Sequence, residues 1–233
     1  MNLVSFQMRA RAWRALGAGL ALAGALSAPA AHAAPLDTMI KAMKFNDVKA
    51  VRKMLAAGVD PNATDPQGFP LIVLGAREKS DDAVRTLLDD KRTDVEKTDK
   101  AGENALMMAA IAGDEKLVRL LIERGAEVNK TGWTPLHYAA SAGNDAIVAT
   151  LLEASAFVDP ASPNGTTPLM MAARGGHVST MKLLLEQGAQ KNMKNQLGLT
   201  AADFAVRYNE KDAATLLGAS IPDTPNQRPD PTR

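Results

Sequence analysis

The chain contains no cysteine, which excludes disulfide staples, a thiol nucleophile and any thiolate metal site. It also excludes the lipid-bearing cysteine that tethers many exported bacterial proteins. Aromatic residues make up only 4% of a chain that is 46% hydrophobic, so its core is expected to consist of Leu, Ala, Val and Met. There is no basic excess. The formal charge is +1, which leaves no electrostatic footprint for nucleic acid. Histidine is scarce as well. Apart from His32, only His137 and His177 occur, far apart and without a spaced His or Glu partner, so neither a zinc site nor any other cofactor is expected.

What is present begins with a leader. Arg9, Arg11 and Arg14 precede an apolar run from Ala15 to Leu26, and the segment closes on Ala31-His32-Ala33. This pattern reads as a signal peptide over residues 1–33, cut after Ala33 and directing the chain to the periplasm or further out. The alternative is a retained membrane anchor, since no charge falls between Arg14 and Asp37. Pro29, His32 and the small-residue bias make that stretch a poor span. No Arg-Arg pair marks a route for folded cargo. Without Arg9, Arg11 and Arg14 the basic residues fall to two fewer than the 26 acidic ones. The mature product is expected to be soluble and monomeric, with no membrane association.

The remainder repeats itself. GENALMMAAIAGDEKLVRLLIERGAEVN begins at Gly102, GWTPLHYAASAGNDAIVATLLEASAFVD at Gly132 and GTTPLMMAARGGHVSTMKLLLEQGAQKN at Gly165; fainter copies begin at Gly68 and Gly198. The spacings are 34, 30, 33 and 33 residues. In each unit Thr134 or Thr167 is placed to cap a helix that opens on Pro135 or Pro168, and Ala-Ala pairs allow close helix approach. A second helix opens near Asp114 or Asp145 and carries the apolar pairs Leu121/Ile122, Leu151/Leu152 and Leu184/Leu185. Gly58, Gly125 and Gly188 end it.

With this period, and with Thr134 to Ala140 reading TPLHYAA, the chain resembles the ankyrin-repeat family over roughly Asp37 to Gly218. The resemblance implies an all-α ankyrin-repeat solenoid of helix-turn-helix units with β-hairpin finger loops, about six units including caps. The domain covers residues 34–218, with units near 37–67, 68–101, 102–131, 132–164, 165–197 and 198–218. An inner helix of the N-terminal cap is expected at about Asp37 to Lys44. Residues 219–233, with four prolines, read as a disordered tail. Several features depart from the family pattern. Pro70 replaces Thr, Lys91 to Lys97 form a longer charged link, Ser155 replaces a helix-ending Gly, and the third unit is three residues short, which should truncate its finger.

Few residues suggest chemistry. His137 and His177 occupy family histidine positions, where the ring hydrogen-bonds backbone between loops. Ser141 and Ser155 are variable repeat positions rather than nucleophiles. Asp81-Asp82 and Asp89-Asp90 read as a helix cap after Ser80 and a solvated turn. Met107-Met108 and Met170-Met171 read as core. The Asn-x-Thr triplets at Asn62, Asn129 and Asn164 read as turn composition.

The resemblance implies binding through a concave face built from fingers and inner helices. After each finger glycine stand Phe69, Glu103, Trp133, Thr166 and Leu199; the exposed inner-helix positions hold Arg77 with Glu78, Ile111, Ser141, Arg174, and Arg207 with Tyr208. Aromatic residues and arginine are the side chains that anchor interfaces. The expected function is a non-enzymatic module that binds a protein partner of unknown identity, as assistant of an envelope enzyme or as inhibitor. The alternatives are an immunity protein against a toxin, a hydrolase with an unrecognised site and a membrane-anchored spacer.

Overall fold

Apolar pairs four residues apart on short, well-capped segments fold here into helical hairpins rather than long helices. The computed structural model describes residues 30–221. The expected leader over residues 1–33 and tail over 219–233 therefore lie outside the described residues, except for residues 30–33 and 219–221. The inner helices are α1 (Ala30–Lys44), α3 (Leu71–Arg77), α5 (Ala105–Ala112), α7 (Pro135–Ala142), α9 (Pro168–Arg174) and α11 (Ala201–Arg207). The outer helices are α2 (Val48–Ala56), α4 (Asp81–Leu88), α6 (Glu115–Glu123), α8 (Asp145–Glu153), α10 (Val178–Glu186) and α12 (Lys211–Leu216). From α3 onward each inner helix packs on the next, and the outer helices form a second row behind them. No strand occurs among the described residues; the fingers are tight turns with a single isolated bridge, Thr64 to Pro70.

The inner helices explain why the chain needs so few aromatics. Leu106 to Ala110 and Leu169 to Ala173 are buried on every side, because each inner helix lies between two others and in front of its own outer helix. The four methionines Met107, Met108, Met170 and Met171 are all core. Gly75 marks a close approach: a Cβ there would stand 2.6 Å from both the Met43 side chain of α1 and Val84 of α4, so even alanine would oblige these side chains to shift.

Thr167 accepts from the Met170 amide at 3.4 Å, and Thr134 with His137 closes a reciprocal cap on α7. Asp114 and Asn144 accept from Leu117 and Ile147 at the outer-helix starts. Ser80 departs from the expected pattern: its hydroxyl makes no cap bond, and the Ala83 amide is instead taken at 2.8 Å by the Asn46 side chain of the preceding unit. Amide and carboxylate clips also join successive units. Asn62 donates to Arg92 O and accepts from Asp94 N, Asn129 does the same with Ser155 O and Phe157 N, and Asp159 accepts from Gln190 N. Two of the Asn-x-Thr triplets thus hold the solenoid together, a role that turn composition alone did not suggest.

Ser155 adopts φ 66, the same left-handed conformation as Gly58, Gly125 and Gly188 at the equivalent helix ends. A side chain there costs on the order of 1 kcal/mol. Ser155→Gly is therefore expected to raise the unfolding midpoint by about 2–4 °C, as read by calorimetry. Its carbonyl bond from Asn129 is unaffected by the change.

Candidate protein-interaction surface

Four fingers share one turn. The amides of Gly68, Gly102, Gly165 and Gly198 bond to Asp65 O, Asp99 O, Ser162 O and Asn195 O, and the chain returns through Asp65 N to Phe69 O, Asp99 N to Glu103 O, Ser162 N to Thr166 O and Asn195 N to Leu199 O. The finger at Gly132 has neither bond among the described residues. Its shortened loop is tied instead by Lys130, whose ammonium reaches Glu96 at 2.6 Å. Trp133 follows directly, half-buried, with its ring edge-on to His137 at 5.1 Å.

Because the inner helices stack in register, the residues at their C-terminal turns form one row beside the fingers. The structure brings Phe69, Arg77, Ile111, Trp133, Ser141, Leu199, Arg207 and Tyr208 to this side, half-buried or exposed. Arg77 lies 4.5 Å over the Phe69 ring and also bonds Glu78 at 2.9 Å. At the far end Tyr208 stacks on Phe204 at 6.4 Å, and the Arg174 guanidinium lies 4.7 Å over its ring. These contacts fix the aromatic rings before any partner arrives, which lowers the ordering entropy that binding must overcome.

Three expected surface residues are corrected. Glu103 is buried, because the Tyr138 hydroxyl of the next inner helix donates to its carboxylate at 2.8 Å. Thr166 is buried beneath the adjoining finger, its carbonyl taken by His137. Arg174 is buried under Tyr208, and burial lowers its basicity while the phenol opposes that shift. It positions an aromatic ring rather than meeting a partner. The signal for Glu103 lies in Tyr138, a hydroxyl placed where the neighbouring units carry Met108 and Met171, which obliges a nearby acceptor. Tyr138→Phe removes that donor and should destabilise the domain by about 1–2 kcal/mol, measurable by urea unfolding.

The histidines are part of the scaffold. His137 is fully buried: its Nδ1 accepts from Thr134 N at 3.1 Å and its Nε2–H donates to Thr166 O at 2.9 Å. Burial pushes its pKa down to about 4 against the pull of backbone carbonyls. His177 Nε2 pairs with Ser141 O at 3.1 Å. Among the described residues no three His, Asp or Glu side chains gather as a metal ion would need. No described helix is long and apolar enough to cross a membrane.

Residues 72–162 and 154–227 match the ankyrin repeat family, together more than half of the chain. The chain is also 37% identical over 94 residues to ankyrin repeat and SAM domain-containing protein 6 of Mus musculus, and 33% identical over 94 residues to that of Rattus norvegicus. Those stretches cover 40% of this chain and 10% of each relative, so the likeness extends to a repeat segment and not to the whole of either protein. The helical pairs, the turns and the family match agree: the chain is a member of the ankyrin-repeat family.

Proposed function

We propose that this chain is a non-enzymatic module, exported to the periplasm, that binds a protein partner through its finger and inner-helix face. Ankyrin repeats generally mediate protein–protein interaction. One observation supports this face over any other: Phe69 and Tyr208 stand at positions the scaffold does not require to be aromatic, and each is braced by an arginine. Export is supported by the leader pattern at Arg9 to Ala33. The role is to assist or stabilise an envelope enzyme, or to inhibit one, as an immunity protein does a toxin.

Crosslinked affinity purification of the chain from separated cell fractions tests this reading. The expected result is a product beginning at Ala34, recovered from the periplasm with one discrete protein in stoichiometric amount. A product that keeps residues 1–33 and remains with the membrane would replace export with anchoring. Recovery of no protein above background would remove the binding role within the envelope.

A further inference from the structure

We propose that the first helical hairpin, α1 with α2, is a docking site for an acidic segment of the partner protein, with Phe45 as its apolar anchor. This rests on the reading of the chain as a protein-binding module and names the chemistry of what it binds.

The charges of the chain are unevenly placed. Between Asp37 and Ala57 stand five basic residues, Lys41, Lys44, Lys49, Arg52 and Lys53, against the two acids Asp37 and Asp47, whereas residues 58–233 carry 19 basic against 24 acidic ones. All five basic side chains are exposed, and none makes an ion pair among the described residues. Asp47 is engaged as a helix cap, accepting from the Ala50 amide at 3.0 Å. Lys49, Arg52 and Lys53 recur at three and four residues, so they form one stripe on α2, on the side away from the buried Val51 and Met54. Like charges at that spacing repel and weaken the helix that carries them. An anion supplied by a partner relieves that repulsion.

Phe45 adds the apolar component. It is 80% exposed, more than any other large apolar residue described. It precedes Asn46, whose φ is 54, just as Glu78, Ala112, Ala142, Gly175 and Tyr208 precede left-handed residues at the ends of the later inner helices. Nothing in the repeat therefore asks for an aromatic ring at this position, and Phe45 heads the row that ends on Tyr208. The turn that presents it is fixed. Asp47 N bonds to Ala42 O at 2.9 Å, and the Asn46 side chain accepts from the Ala83 amide of the next unit at 2.8 Å. A ring exposed on a turn held in this way has little ordering entropy left to lose on binding.

An anionic bilayer would meet the same charges. Phe45 is, however, the only large apolar side chain of the hairpin left exposed, and the apolar side of α2 is packed away, so there is little to bury among lipids. Lys44 and Phe45 occupy the positions that Arg77 and Glu78 hold on the next unit, which places the patch at the head of the inner-helix row. That register favours a segment of the same protein that meets the finger face.

The test is fluorescence anisotropy of the purified chain with a labelled peptide of repeated Glu-Ser carrying one central Leu, against the same peptide with Gln in place of Glu. The acidic peptide is expected to bind about tenfold more tightly at low salt, and the difference is expected to shrink at high salt. Lys49→Glu combined with Arg52→Glu and Lys53→Glu should abolish the difference, and Phe45→Ala should weaken both peptides. These side chains are exposed, so the variants fold, which circular dichroism verifies. A control with Arg85→Glu, Lys116→Glu and Lys182→Glu makes the same change in net charge on later outer helices and should retain the preference. Equal affinity for the two peptides, or equal loss in the control, would overturn the docking site. Phosphatidylglycerol vesicles bound through the hairpin while the acidic peptide is not would reassign the patch to a membrane. Photocrosslinking from Phe45 and from Ser141 separates this site from the broader reading. One protein captured from both positions is expected. Capture from Ser141 without capture from Phe45 would remove the hairpin site and leave the finger face, whereas peptide binding with no adduct from Ser141 would remove the finger face and leave the hairpin.

Discussion

His137→Ala is expected to lower the unfolding free energy by about 3–4 kcal/mol. The ring is fully buried, and its loss leaves a cavity between two fingers, strips the Thr134 amide of its acceptor and leaves the Thr166 carbonyl with the Ser162 amide as its donor. The Trp133 ring loses the edge it rests on as well. Urea unfolding at pH 7 checks the magnitude.

The same geometry fixes a pH dependence. The native site needs the neutral ring, and its pKa there is about 4, below the ordinary value of 6.5. Stability from this residue is therefore complete above pH 6.5 and is lost as the pH falls toward 4, because the unfolded chain binds the proton first. The loss amounts to about 3 kcal/mol across the window. A variant lacking His137 should show less acid sensitivity than wild type by that amount; an unchanged slope would mean that the site admits the charged ring.

Phe69→Ala combined with Trp133→Ala is expected to weaken partner binding by at least about a hundredfold while the domain stays folded. Phe69 is half-buried under Arg77, so its truncation removes contact area and leaves the guanidinium without its support. Trp133 stands where the shortened finger leaves the inner helix without the turn seen in the other four. Removing its edge contact with His137 costs about 1 kcal/mol of stability, which circular dichroism and a melting curve will separate from lost affinity. Arg85→Ala on the outer row serves as control, and titration calorimetry against the purified partner should show it unchanged.

Much of this fold was legible because each unit repeats its own punctuation. Thr before Pro, Asp or Asn before the outer helix, and Gly after it are local signals, and local backbone geometry satisfies them. The stapling residues were less visible. Asn62 and Asn129 act on the following unit, and nothing nearby in sequence distinguishes such a clip from an ordinary turn. Position alone misled at Glu103, Thr166 and Arg174. The register put them beside the fingers correctly, but whether a side chain points outward depends on a neighbour one repeat away: Tyr138, His137 and Tyr208 respectively. The resemblance indicates the face, and the packing decides which residues on it remain available.

Site-specific photocrosslinking in the living cell tests the central claim most directly, with the reactive side chain placed at Ser141 in the inner row or at Arg85 in the outer row. One discrete protein adduct from Ser141 and none from Arg85 is the predicted result. Adducts from Arg85 alone, or in equal yield from both positions, would contradict the assignment of binding to the finger and inner-helix face.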